Sequence, residues 1–209
     1  NFKFFVKDNA FVQLNKITIT SEISVNEGAM LRMDDVTLNG YVEVNNNATF
    51  LSHDSNITSI NDDPAIRVKA NSHVHVENSN ITGSSSGYEA IWLWNNGSIM
   101  LQGTSSVTAP SGTSAISLTT ASSAVLIDDV QINSVDQTAI YIDKNSVVEL
   151  NDNVAITRSD GNDEIFVDPT SALRINGSDI TLANVGCEGI TSYVQVGNNN
   201  SVNISNTCN

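Results

Sequence analysis

Positive charge is scarce in this chain: nine Lys and Arg stand against 23 Asp and Glu, a net charge of −14. A surface of that sign repels phosphate backbones, so nucleic acid is excluded as an expected partner. Aromatic residues make up only 6% of the 209 residues, and a core must therefore be built from aliphatic side chains. No apolar run approaches the ~20 residues of a membrane-spanning helix, and no segment carries a helical period of apolar residues. Cysteine is limited to Cys187 and Cys208, both late in the chain. In a secreted chain these two would most simply pair and close the last turn.

What the chain does have is a repeat. Ala65 to Thr82 reads AIRVKANSHVHVENSNIT, and Ala90 to Thr108 reads AIWLWNNGSIMLQGTSSVT. Similar copies start at Ala115-Ile-Ser-Leu and Ala139-Ile-Tyr-Ile. Taking the first inward residue of each copy gives Phe4, Ile23, Val42, Ile66, Ile91, Ile116, Ile140, Ile165 and Val194, at intervals of 19 to 29 residues. Residues two, eight and ten positions further on are apolar in every copy except at Ser52. A period of two inside each pair requires strands, because alternate residues share a face. Five positions after each first residue stand Asn9, Gly28, Asn47, Asn71, Asn96, Ala121, Asn145, Thr170 and Asn199. Asn and Gly tolerate the left-handed conformation of a sharp corner, so this column marks a turn. A third strand centres on Ile19, Leu38, Ile57, Ile81 and Ile180, and is displaced by one residue at Val107, at Val130 or Ile132, and at Val154 or Ile156. Length variation falls after it, in loops such as Gly83–Glu89, Ala109–Ser114, Ser159–Glu164 and Ala183–Tyr193.

Three strands per turn, with fixed inward columns and insertions at one corner, predict an all-β, single-stranded parallel β-helix. One domain of about nine turns is expected over residues 1–209, a rod roughly 40 Å long at about 4.8 Å per turn. The pattern resembles the right-handed, pectate-lyase-like parallel β-helix superfamily, and within it the passenger rods of autotransporter adhesins and phage tailspikes. That scaffold hosts unrelated activities, so the resemblance implies a fold more strongly than a function.

The resemblance also implies that a site would lie on the outer face of the first strand. Outward positions there carry Trp92, Trp94, Tyr141 and Phe166, expected as an exposed aromatic cluster rimmed by Asp143 and Asp168, with Tyr88 and Glu89 nearby. Exposed aromatics stack on sugar faces or anchor interfaces; the competing explanation is cross-strand packing or cover from a neighbouring loop. The pairs Asp34-Asp35, Asp62-Asp63 and Asp128-Asp129 are read as turn residues, since sequence neighbours on a strand point opposite ways. Polygalacturonase-like motifs are missing, and basic residues are too scattered for a pectate-lyase-like site.

Asp160, Asp163 and Glu164 lie in the densest run of oxygen ligands. Their spacing follows no established calcium loop, so a solvated acidic loop is expected and no cofactor is assigned. His73 and His75, followed by Glu77, share one strand face and would hold a metal only with further ligands. The third strand's outer residues, from Thr18-Ile-Thr20 to Asn80-Ile-Thr82, form the kind of Thr array that ice-binding solenoids present. Here it is mixed with Asn and is expected to lapse in the middle turns. Sequons occur at Asn47, Asn56, Asn80, Asn96, Asn176, Asn199 and Asn203.

The expectation is a non-enzymatic extracellular rod. It would recognise a surface or cell-surface glycan by its aromatic face, and meet a second copy or neighbouring domains of a longer rod end to end, since Phe2–Val6 begins a strand with no polar cap. The rival expectation is a tailspike-like protein that binds or cleaves a polysaccharide on the same face.

Overall fold

The computed structural model describes residues 2–110, 112–159, 163–189, 191–204 and 208. Among them every helix or strand element is a strand, numbered β1 to β24 along the chain, and every pairing is parallel. The chain is an all-β parallel solenoid.

Its second face is a nine-stranded sheet: β2 (Phe11–Asn15), β4 (Met30–Asp34), β6 (Thr49–His53), β9 (His73–Glu77), β12 (Ser98–Gln102), β15 (Ser123–Ile127), β18 (Val147–Asn151), β21 (Ala172–Ile175) and β23 (Tyr193–Val196). The first face stacks β1 (Lys3–Val6), the later halves of β3 (Thr18–Val25) and β5 (Thr37–Val44), then β8 (Ile66–Lys69), β11 (Ile91–Trp94), β14 (Ile116–Thr119), β17 (Ile140–Ile142), β20 (Ile165–Val167) and the end of β22 (Thr181–Cys187). The third face takes the early halves of β3, β5 and β22, together with β7 (Asn56–Thr58), β10 (Asn80–Thr82), β13 (Ser106–Ala109), β16 (Gln131–Ser134), β19 (Ala155–Arg158) and β24 (Ser201–Ile204). The turns are not uniform. Six close with a third strand of their own, whereas β3, β5 and β22 run from a third face straight into the next first face. Gly40 lies where β5 changes face, and a Cβ there would overlap the carbonyl oxygen of Ser21 on β3.

The inward columns are the core. Ile23, Val42, Ile66, Ile91, Ile116, Ile140 and Ile165 are fully buried, as are Leu31, Phe50, Val74, Leu126, Val148 and Leu173. Burial of such side chains contributes roughly 1.5–3 kcal/mol each. Ser52 is buried as well, its hydroxyl 3.2 Å from that of Ser79. From Asn9 to Thr170 the first-corner residues have φ between 58° and 73°, the left-handed region the corner requires. Cys187 and Cys208 form a disulfide with Cα atoms 5.1 Å apart, which is compatible with an oxidising location.

Serine hydroxyls line both corners inside the wall. Ser55, Ser79 and Ser105 each accept a backbone N–H from the preceding turn, from Val36, Ser55 and Ser79 at 3.0 to 3.3 Å. Ser72, Ser146 and Ser171 do the same for Ala48, Ser122 and Ser146 at 3.2 to 3.3 Å. The strand ladder is broken at a corner, and these hydroxyls satisfy donors that water cannot reach.

Three expectations are corrected. Val194 and Val196 lie on the second face, opposite Leu173 and Ile175. The first-face residues of that turn are Val185 and Cys187, opposite Ile165 and Val167, so much of the expected Ala183–Tyr193 loop is strand. The one-residue displacement of the third strand comes from the second corner, which spans 78–79 between β9 and β10 but 103–105 between β12 and β13. The strands behind the longer corner still pair in step, Ile81 with Val107 and Val107 with Ile132. The Thr and Asn array of the third face therefore continues through the middle turns.

Candidate ligand-binding face

Two outward columns run up the first face. One reads Glu43, Arg67, Trp92, Ser117, Tyr141, Phe166 and Gly186, residue opposite residue on successive strands. The other holds Lys69, Trp94 and Thr119 in register, and continues two residues beyond Tyr141 and Phe166 with Asp143 and Asp168.

The four aromatics do not merge into one cluster. Trp92 and Trp94, two apart on β11, lie with ring centroids 5.9 Å apart and planes 8° from parallel. Tyr141 and Phe166, on neighbouring strands, stack at 5.6 Å and 2°. The buried Ser117 stands between the two pairs. Trp94 is 44% exposed, while Trp92, Tyr141 and Phe166 are half-buried. Arg67 places its guanidinium 5.3 Å from the centre of the Trp92 ring and bonds Asp63 at 2.8 Å. Lys69 is paired with Glu43. Both cations beside the tryptophans are thus already neutralised. Tyr88 lies exposed in the loop before β11.

Asp143 and Asp168 do not rim this surface; both are buried, at 9% exposure. The Tyr141 hydroxyl donates to Asp168 Oδ2 at 3.0 Å. Burial raises the Asp143 pKa, and so do its hydrogen bond and repulsion with Asp168; Lys144, 3.7 Å away, opposes the shift. A second buried carboxylate so close makes ionisation of Asp143 costlier. The Tyr141 phenol is pushed up to about 12, by burial and then by Asp168.

The other candidates are spread around the rod. Asp34 is held below the ordinary carboxylate range by its hydrogen bond from Arg32, and also accepts from Gln13 at 2.9 Å. Asp35 and Asp128 have left-handed backbones at the second corner, as turn residues should. His73 hydrogen-bonds Ser98 at 2.9 Å, and its pKa is lowered by burial and by His75. His75 has a buried Nε2 without a partner beside a pocket lined by Arg32, Leu51, His53 and Glu77. Asp160 lies outside the described residues. Asp163 accepts from Arg158 through its carbonyl at 2.9 Å, and Glu164 accepts the Ala183 N–H at 2.7 Å with its pKa raised by burial. Among the described residues, no group of three or more His, Cys, Asp or Glu is placed to hold a metal ion.

Sequence reasoning missed the corner serines, whose signal is a Ser directly after the corner Asn or Asp, as in Asn71-Ser72, Asn78-Ser79 and Asn145-Ser146. It also missed the split of the aromatics, which depends on side-chain rotamers. Comparison with known proteins returns no matching family model, no matching curated protein and no matching solved structure.

Proposed function

We propose that the protein is a non-enzymatic, extracellular recognition rod that binds a neutral surface glycan on the Trp92–Trp94 platform. The supporting observation is the geometry of the two indoles: stacked, with centroids 5.9 Å apart and planes 8° from parallel, and with Trp94 44% exposed. The exposed apolar surface of Trp94, held in place by its stack on Trp92, suits the face of a pyranose ring, and aromatic contacts of this type contribute about 0.5–1.5 kcal/mol beyond area burial. Arg67 and Lys69 are already paired with carboxylates, so nothing beside the platform selects an acidic sugar. The edge strands β2 and β23 offer unpaired backbone to a second copy or to a neighbouring domain of a longer rod.

A polysaccharide-cleaving reading rests on Asp143 and Asp168. Glycoside hydrolysis needs two carboxyls roughly 5–10 Å apart across a substrate. These two are instead both buried, with Asp168 taken up by the Tyr141 hydroxyl, which favours binding over cleavage.

The test is a glycan array followed by calorimetric titration of the best neutral ligand. Trp94→Ala should weaken binding about 3- to 10-fold, with an unchanged circular dichroism spectrum. Equal affinity for wild type and Trp94→Ala would remove the platform as the site.

A further inference from the structure

A second surface lies on the third face, on strands other than β11, which carries the Trp92–Trp94 platform. Its outer column runs Thr18, Thr37, Asn56, Asn80, Ser106, Gln131 and Ala155, and its inner column Thr20, Asn39, Thr58, Thr82, Thr108, Asn133 and Thr157. The columns are in register over seven successive strands, with no bulge between β3 and β19.

Three properties of this array point to one kind of partner. It carries no ionisable side chain at any of its positions, in a chain with 23 acidic and nine basic residues. A charged group holds its own tightly oriented water, and its absence leaves the hydration of this face to hydroxyls, amides and methyls. Next, the array repeats in two directions. Strands stack at about 4.8 Å, and outward residues two apart on one strand lie about 6.7 Å from each other. Both repeats are close to oxygen–oxygen repeats on a prism plane of hexagonal ice. Finally, the side chains are held before any ligand arrives. Asn80 Nδ2 donates to Asn56 Oδ1 at 2.9 Å, and Ser106 Oγ donates to Asn80 Oδ1 at 2.7 Å. Thr157 Oγ1 donates to Asn133 Oδ1. Threonine adds a stiff χ1 of its own, so little freedom is lost on contact with a rigid lattice.

We infer that the third face is an ice-binding surface, with the inner threonine column as its contact line. Crystalline polysaccharide fits it less well, because sugar rings are gripped by aromatic faces and neither column contains an aromatic residue.

The experiment uses the full chain made without N-glycosylation, since Asn56 and Asn80 lie in sequons on this face. Thermal hysteresis and inhibition of ice recrystallisation are measured for wild type, the double variant Thr82→Tyr/Thr108→Tyr, and Trp94→Ala. Wild type and Trp94→Ala should both inhibit recrystallisation. The double variant should need at least tenfold more protein, with an unchanged circular dichroism spectrum and melting temperature. If the double variant unfolds, Thr58→Lys, which keeps a flexible outward side chain, serves in its place with the same expected loss. Wild type no more active than albumin would overturn the inference, as would full activity in a folded variant. Binding to crystalline cellulose or chitin without any effect on ice would overturn it too. The ice outcomes do not bear on the Trp92–Trp94 platform, whereas polysaccharide binding that Trp94→Ala abolishes belongs to that platform and not to the third face.

Discussion

Ser79→Ala tests whether the corner hydroxyls hold the wall together. Ser79 is fully buried; its Oγ accepts the Ser55 N–H at 3.0 Å, donates to the Glu77 carbonyl at 2.8 Å and lies 3.2 Å from the Ser52 hydroxyl. Alanine removes all three contacts and leaves the Ser55 N–H inside the wall with no acceptor. A buried donor without a partner costs about 1–3 kcal/mol. Adding the weakened Ser52 contact, the loss is about 2–4 kcal/mol. A chain of this length falls near the upper end of the usual urea m range, roughly 3 kcal/mol/M, so the urea midpoint should drop by about 1 M. Hydrogen exchange at the Ser55 amide should speed up in parallel. The comparator is Ser106→Ala, which removes an outward hydroxyl bonded to Asn80 and should cost about 0.5 kcal/mol or less. A Ser79→Ala midpoint no lower than that of Ser106→Ala would refute the argument that these hydroxyls replace the missing ladder.

Leu126 is fully buried between Leu101 and Leu150 on neighbouring strands; Leu126→Ala should cost about 2–5 kcal/mol by urea unfolding, and a near-neutral result would contradict the inward register. Because the Asp143 pKa is raised in the folded state, the native protein binds more protons than the unfolded chain between the ordinary aspartate range and the raised value. Stability should therefore rise as pH falls through that window, and Asp143→Asn should raise the melting temperature at pH 7 and flatten the profile there. A melting temperature at pH 7 that is unchanged in Asp143→Asn would argue against the raised Asp143 pKa. Reduction of Cys187–Cys208, separated by 21 residues, should destabilise the last turns by about 3 kcal/mol, read as faster proteolysis after β21.

Most of the wall was legible because a solenoid repeats its own constraints. Branched aliphatics two apart marked inward pairs, and Asn at Asn47, Asn71 and Asn96 marked a corner that needs positive φ. The last turn was misplaced because β22 has no loop between its third-face and first-face halves, which shortens the interval from Ile165 to Val185. Val194 and Val196 then imitate a first strand by alternation alone, since alternation identifies a strand without saying which face it joins. The longer second corner at Gly103–Ser105 was invisible as a cause, because an added corner residue shifts numbering without altering pairing. At the aromatic face, alternation placed Trp92, Trp94, Tyr141, Phe166, Asp143 and Asp168 outward. It carried no information on ring stacking, or on the burial of two aspartates packed beside Tyr141.

The disulfide has a mechanical consequence. Most strands in this solenoid pair with the turns before and after them, β19 pairing only with the turn before it, so tension applied between the two ends loads one rung at a time and peels the coil as a zipper opens. At the β1 end each released turn adds its full length of extended chain. At the other end Cys187–Cys208 ties β22 to the closing segment, and the stretch between them, a sequence separation of 21, stays out of the extension, shortening the stretched chain by about 70 Å. Under load the rod is a one-way structure, with a fraying end and an anchored end.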